Sequence, residues 1–275
     1  MLEVIDKGAC SESHPVPLLF VHGAWHGAWC WDEHFLDFFA EKGYRALAVS
    51  LRGHGNSPTS KPLRSCSITD YVRDVASVAD SLPKRPVVIG HSMGGGIVQK
   101  YLESHEAPAG VLLASLPSRG AGAAMLRFAR RHPWLILKSV LTGDTMAMVS
   151  PACAREYMFS PGTPEPLVVD CVRRVQQESW RVITVDAMFL DLPKPELVTA
   201  PVLVLGAECD GAFTTNEVRA TAHAYRTEAE FFSDIGHDMM LEPGWAVVAE
   251  RIDVWLGTRG LRLDEDGPSQ QLASP

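Results

Sequence analysis

At 275 residues the chain is long for one domain without demanding two, and an apolar content of 46% is enough for a sizeable buried core. Its formal net charge of −8, with acidic residues spread along the chain, argues against the basic footprint of a nucleic-acid binder and against a polybasic membrane patch. Six cysteines show no C-x-x-C spacing, so a zinc or redox motif is not expected and free thiols in a reducing compartment are. The start, "MLEVIDKGAC", lacks the pattern of a signal peptide, and no apolar run approaches the ~20 residues of a membrane span. A cytoplasmic protein is the resulting expectation.

In chain order, "PLLFVHG" (Pro17–Gly23) reads as a buried strand. "WDEHFLDFFAEKG" (Trp31–Gly43) has helical periodicity and stops at glycine. "YRALAVSL" (Tyr44–Leu51) reads as a strand and "RGHGNSP" (Arg52–Pro58) as a turn-rich loop. A helix over Thr69–Leu82, capped by Thr69 or Asp70, precedes strands at Arg85–Gly90 and Gly110–Pro117. From Arg119 to Pro195 no strand is evident. "AAMLRFARRHPWLILKSVL" and "PLVVDCVRRVQQESWRV" are amphipathic helix candidates there. A strand at Pro201–Asp210 follows, then a helix opened by a capping box from Thr214 to Glu217. A strand at Glu228–His237 and a helix at Trp245–Leu256 close the pattern.

Near-continuous apolar strands alternating with helices imply an α/β fold, a mostly parallel sheet covered on both faces. The expected organisation is a core of residues 1–118 and 196–262, a helical insertion at 119–195 over the carboxyl edge of the sheet, and a disordered polar tail from 263 to 275.

The chemistry-bearing stretch is "VVIGHSMGGGIVQKYL" (Val87–Leu102), a G-x-S-x-G between a strand and a helix. A sharp strand-to-helix turn would hold Ser92 in strained geometry and needs little bulk beside it. The same turn puts the Met93 N–H at a helix start, where unpaired amides and the helix dipole favour negative charge. A serine hydroxyl needs a base. His237, following the last strand, can reach Ser92 because strand ends at the carboxyl edge converge on one crevice. His91 is expected to pack away from Ser92, and His105 and His223 to lie on the surface. Asp210, after the fifth strand, is the acid expected to orient His237, ahead of Glu208, Asp234 and Asp238. The order Ser92, Asp210, His237 is the one expected for this architecture. A second oxyanion donor, beside Met93 N–H, is expected from Ala24 N–H in "VHGAWHGAW".

These pieces resemble the α/β-hydrolase superfamily: His22-Gly23-Ala24-Trp25, "LRGHGNSP", "GHSMGG", "LVLGAECD" and "IGHDMMLEP". The pairing of "HGAWHGAWCW" with "GHSMGG" is similar to the branch of small carboxylesterases, plant-type methylesterases and hydroxynitrile lyases. The resemblance implies that the insertion is a helical cap. It also separates this chain from members with an aspartate nucleophile, because Ser92 stands at that position. No metal cluster, dinucleotide fingerprint or cofactor lysine is evident, so neither a metal nor a cofactor is expected.

Trp25, Trp29, Met125, Met146, Met148 and Met188 are the expected pocket residues, methionines being suited to irregular apolar ligands. "RFARR" (Arg127–Arg131) could meet an anionic group, although a solvated helix face is the commoner role of such a run. The implied partner is a small ester-like molecule, with no nucleic acid and no membrane span. The sequence leaves other triad chemistry open (C–C, lactone or amide cleavage, or a lyase reaction), as well as a non-catalytic receptor on the same fold.

Overall fold

The computed structural model describes residues 1–262; the tail expected from Leu263 onward lies outside the described residues. Seven strands build one sheet: β1 (Val4–Lys7), β2 (Leu18–Val21), β3 (Ala46–Val49), β4 (Val87–His91), β5 (Gly110–Leu113), β6 (Val202–Ala207) and β7 (Ala229–Phe232). Their spatial order is β1-β3-β2-β4-β5-β6-β7. All neighbours are parallel except β1, which runs antiparallel to β3 with Val4 opposite Val49. From β2 to β6 every strand residue is buried, which explains the unbroken apolar runs. Strand β1 was not anticipated. Its "VIDK" sits at the edge of the sheet, partly solvated, and has no apolar run to betray it.

Ten α-helices accompany the sheet among the described residues. Helices α1 (Trp29–Asp32), α2 (Phe35–Glu41), α3 (Ile68–Asp80) and α4 (Met93–Leu102) precede the long excursion between β5 and β6. That excursion contains α5 (Gly122–Arg131), α6 (Pro133–Thr142), α7 (Pro151–Tyr157), α8 (Glu165–Arg174) and a π-helical stretch at Val182–Leu190, with no strand among them. Helices α9 (Thr215–Ala224) and α10 (Trp245–Thr258) complete the chain. Alternate strand residues serve opposite faces. Leu18, Phe20 and Ile89 pack with Trp31, Phe35 and Trp255, while Leu19, Val21 and Val88 pack with Tyr71, Ile97 and Val218.

Several boundaries differ from expectation. The helix expected at Trp31–Gly43 is two pieces, broken where His34 leaves helical geometry at φ −148°. The cap of α3 is Ser67, which makes a reciprocal capping box with Asp70. The helix expected across Arg131–Pro133 divides there, since Pro133 forces His132 to φ −128°, ψ 56°. The helix expected to run on to Val182 stops at Arg174, and Val175 is extended. The six cysteines are unpaired. Among the described residues no helix is long and apolar enough to cross a membrane.

Candidate active site

The strand order reverses between β2 and β4, so the loops leaving their carboxyl ends flank one crevice. Ser92 leaves β4 at φ 52°, ψ −119°, a conformation that costs a non-glycine residue energy. The turn is pinned by Ser92 N–H donating to Leu113 O (3.1 Å) and by Leu116 N–H donating to Ser92 O (2.8 Å). Helix α4 packs so closely on β2 that a Cβ on Gly94 would lie 2.3 Å from Val21 O. The loop after β2 is equally close: a Cβ on Gly23 would meet Ser92 Cβ at 3.0 Å. Met93 is the first residue of α4, so its N–H has no acceptor within the helix.

His237 Nε2 lies 2.8 Å from Ser92 Oγ, and His237 Nδ1 lies 2.8 Å from Asp210 Oδ2. Asp210 Oδ1 accepts from the Ala212 and Phe213 N–H groups at 2.7 and 2.9 Å. The partners assign the proton of neutral His237 to Nδ1, leaving Nε2 to face the hydroxyl. Burial pushes the imidazole pKa down, but the Asp210 charge and hydrogen bond outweigh it and hold the group above its ordinary 6.5. Of the other acids weighed, Glu208 and Asp234 are exposed.

Asp238 is buried behind His237. It lies 3.2 Å from His26 Nε2 and 3.6 Å from His91 Nε2. His26 Nδ1 donates to Ala24 O at 2.8 Å, so both ring nitrogens face acceptors and the ring is an imidazolium. Burial opposes that charge, and Asp238 more than restores it. His91 packs as expected, with Nε2 2.9 Å from His237 O; burial and then the nearby His237 push its pKa down to about 3. His26, Cys171 and Asp238 cluster within 4.8 Å, as do His91, His237 and Asp238. The first group is a closed ion pair of His26 and Asp238 with the Cys171 thiol beside it. In the second, His237 is turned to Ser92 and Asp210, and His91 Nε2 to the His237 carbonyl.

A second buried pair bears on the Ala24 loop. Glu178 Oε1 accepts from Tyr71 OH (2.6 Å) and Ser179 N–H (2.6 Å). Its Oε2 accepts from Trp25 N–H (3.4 Å) and lies 3.1 Å from His54 Nε2. Gln176 N–H donates to Trp25 O at 2.7 Å. Trp25 is thus held on both sides of its backbone in a left-handed conformation, φ 65°.

Ser92 and His237 open on a cavity of about 160 Å³. Ala24, Trp25, Met93, Met125 and Met148 line it, together with Phe128, Tyr157, Met158, Ile183 and Phe213. Trp29, Met146 and Met188, expected in this wall, are not part of it. Trp29 is stacked on His26 at 5.3 Å beneath the Arg174 guanidinium. Met146 packs into the core from the turn at Thr145–Met148. Met188 lies in the π-helical stretch, whose buried side is formed by Val182, Ile183, Asp186 and Ala187. Sequence reading did not single out His26, His54 or Glu178. His26 stands in a quoted motif, but Glu178 is one acidic residue in a polar run and gives no signal.

A family signature described as the alpha/beta hydrolase family matches residues 18–251. The chain belongs to the alpha/beta hydrolase family. Within it, the chain is 38% identical over 106 residues to a non-heme chloroperoxidase of Streptomyces lividans, covering 37% of each chain. It is 35% identical over 88 residues to Methylesterase 18 of Arabidopsis thaliana, covering 31% of this chain and 32% of the relative. The matches thus span only about a third of those relatives' lengths. The fold is similar to that of a thermophilic esterase from Thermogutta terrifontis (TM-score 0.74, 18% identity, 94% of each chain). It is also similar to a putative non-heme bromoperoxidase from Mycobacterium tuberculosis (TM-score 0.73, 20% identity, 94% of this chain and 96% of that one).

Proposed function

We propose that this alpha/beta hydrolase is a serine carboxylesterase acting on a small ester with an apolar acyl or aryl group. The observation that carries the reading is the run of two 2.8 Å contacts from Asp210 through His237 to Ser92, ending at an apolar cavity. Ser92 Oγ attacks the carbonyl carbon while its proton passes to His237 Nε2. The tetrahedral oxyanion is held by the N–H groups of Met93 and Ala24. Collapse breaks the ester C–O bond, and His237 returns the proton to the leaving alkoxide. Water, deprotonated by His237, then releases the acid and restores Ser92. Asp210 keeps His237 in the required tautomer and balances the imidazolium.

The helical segment 119–195 acts as the cap, contributing Met125, Phe128, Met148, Tyr157, Met158 and Ile183 to the wall. A cavity of about 160 Å³ resembles in size the ~150 Å³ apolar void that takes benzene, which sets the acyl or aryl group at about one ring. Relatives named as methylesterases support the ester reading.

The test is hydrolysis of p-nitrophenyl butyrate together with fluorophosphonate labelling. Wild-type protein should turn the ester over and carry the label on Ser92. Ser92→Ala should lose both, and retained turnover would overturn the assignment.

A further inference from the structure

The cavity roof carries a feature unrelated to Ser92. Helix α5 sends Met125 and Phe128 inward, whereas α6, packed beside it, turns its apolar side to solvent. Trp134 is 76% exposed, Leu141 75%, Val140 56% and Leu137 42%, and only Ser139 of α6 is buried. At about 100° per residue, Val140, Leu137, Leu141, Trp134 and Lys138 follow one another around a single arc. Leu135, Ser139 and Ile136 occupy the other arc.

Charge is segregated in the same place. The chain carries −8 overall, yet no Asp or Glu occurs between Glu106 and Asp144. That interval holds Arg119, Arg127, Arg130, Arg131 and Lys138. Arg127 is bound to Glu217 and Arg131 to Glu156, while Arg130 near the end of α5 and Lys138 at the edge of the apolar arc of α6 are exposed. The overall balance therefore conceals a local cationic and apolar surface.

We propose that α6 docks on an anionic lipid surface, with Trp134, Leu137, Val140 and Leu141 entering the interface and Arg130 and Lys138 meeting headgroup phosphates. An apolar arc flanked by cations is the pattern of a helix lying in a membrane interface, where tryptophan is favoured. A second copy of the chain fits less well. Two-fold pairing through this face would gather Arg130 and Lys138 of both copies around one apolar seam, and residues 107–143 bring no carboxylate to offset them. The acidic remainder of the molecule is repelled by the same lipid, which orients the docked protein with α6 against the surface. The proposal does not depend on the reaction at Ser92, because docking is read without turnover.

The experiment is co-sedimentation of the full chain with phosphatidylcholine vesicles, with and without phosphatidylglycerol, alongside analytical ultracentrifugation of the protein alone. The expected result is a monomer that sediments with the anionic vesicles, far less with neutral ones, and is released by salt. Arg130→Gln and Lys138→Gln should each weaken partitioning about fivefold. Trp134→Asp with Leu141→Asp should abolish it. Unchanged turnover of a soluble ester and an unchanged thermal midpoint would show that these exposed substitutions leave the fold intact. Three results would overturn the proposal. The protein could fail to bind anionic vesicles, or bind neutral vesicles equally well. It could also form a dimer that Trp134→Asp with Leu141→Asp splits.

Discussion

Replacing Glu178 by Gln should separate the hold of Glu178 on the Ala24 loop from the chemistry itself. One amide oxygen can keep Tyr71 OH and Ser179 N–H, as Oε1 does now. The amide NH₂ then faces His54 Nε2, which must be unprotonated to accept it, and Trp25 N–H loses its acceptor. Breaking a buried ion pair from one side costs about 3–5 kcal/mol when the other charge is stranded. His54 escapes part of that cost by shedding its proton, while the orphaned Trp25 N–H adds about 1–3 kcal/mol. A net loss of about 2–4 kcal/mol follows, which for a chain of this size lowers the melting temperature by about 5–15 °C.

The pH dependence makes the test specific. Burial lowers the His54 pKa, but Glu178 more than offsets it and the group ends above 6.5. Its contribution is complete below pH 6.5 and lost as pH rises through the folded value. Burial raises the Glu178 pKa, but His54 and the hydrogen bonds outweigh it and the group ends below 4.5. Its contribution is present above pH 4.5 and lost as pH falls through the folded value. Thermal melts should therefore show the widest gap between wild type and variant from about pH 4.5 to 6.5, with the gap narrowing on either side. A variant as stable as wild type at pH 6, or a gap that ignores pH, would refute the reasoning. On the proposed mechanism, in which the Ala24 N–H serves the oxyanion, ester turnover should fall in kcat with little change in KM.

Three further outcomes are expected. Asp210→Asn must keep its amide oxygen on the Ala212 and Phe213 N–H groups, so its NH₂ faces His237 Nδ1 and moves the ring proton to Nε2; kcat should fall by about 10⁴, a loss seen when the same change is made in the trypsin-type triad. The proposed mechanism needs His237 neutral to accept the Ser92 proton, and the Asp210 charge holds the ring above its ordinary 6.5, so kcat/KM should decline on the acid side with a midpoint above pH 6.5, and a midpoint below that value in a pH–rate profile would contradict the Asp210 pairing. Gly94→Ala places a Cβ 2.3 Å from Val21 O and 2.4 Å from His22 O, backbone atoms that cannot move aside, so soluble yield should collapse; a melting temperature equal to wild type would show the α4–β2 contact to be looser than described.

What could be read in the sequence is what local pattern encodes. The buried strands announce themselves because β2, β4 and β6 are solvent-free on both faces, and G-x-S-x-G announces the turn at Ser92 because a Cβ on Gly90 would strike Gly94 O and one on Gly94 would strike Val21 O. Strand β1 was hidden because its edge position allows Asp6 and Lys7. The pocket was half legible. Met125 and Met148 line it and Met146 and Met188 do not, since a methionine in an irregular helical segment gives no clue to which way it turns. The Glu178 contacts were illegible for a stronger reason. They join residues more than a hundred positions apart, and nothing local to Glu178, Tyr71 or Trp25 demands a partner.

The buried histidines explain how so many titratable groups coexist at one crevice. His237, His26 and His54 each face their own carboxylate: Asp210, Asp238 and Glu178. His22 and His91 face none at hydrogen-bond distance and stay neutral. His22 Nε2 accepts from Leu51 N–H at 3.1 Å while Nδ1 donates to Gly23 O at 2.8 Å, a tautomer that burial enforces by pushing its pKa far down. Charges are therefore buried in compensated pairs, which avoids the large cost of an isolated ion in a low-dielectric site. The His26 and His54 pairs are tied to backbone, at Ala24 O and Trp25 N–H, and so hold the loop beside Ser92. In the His237 pair, the ring meets no backbone acceptor and instead points Nε2 at a hydroxyl. Of these histidines, His237 is thus the one free to exchange its proton with a reacting group, while the others fix the surroundings in which it does so.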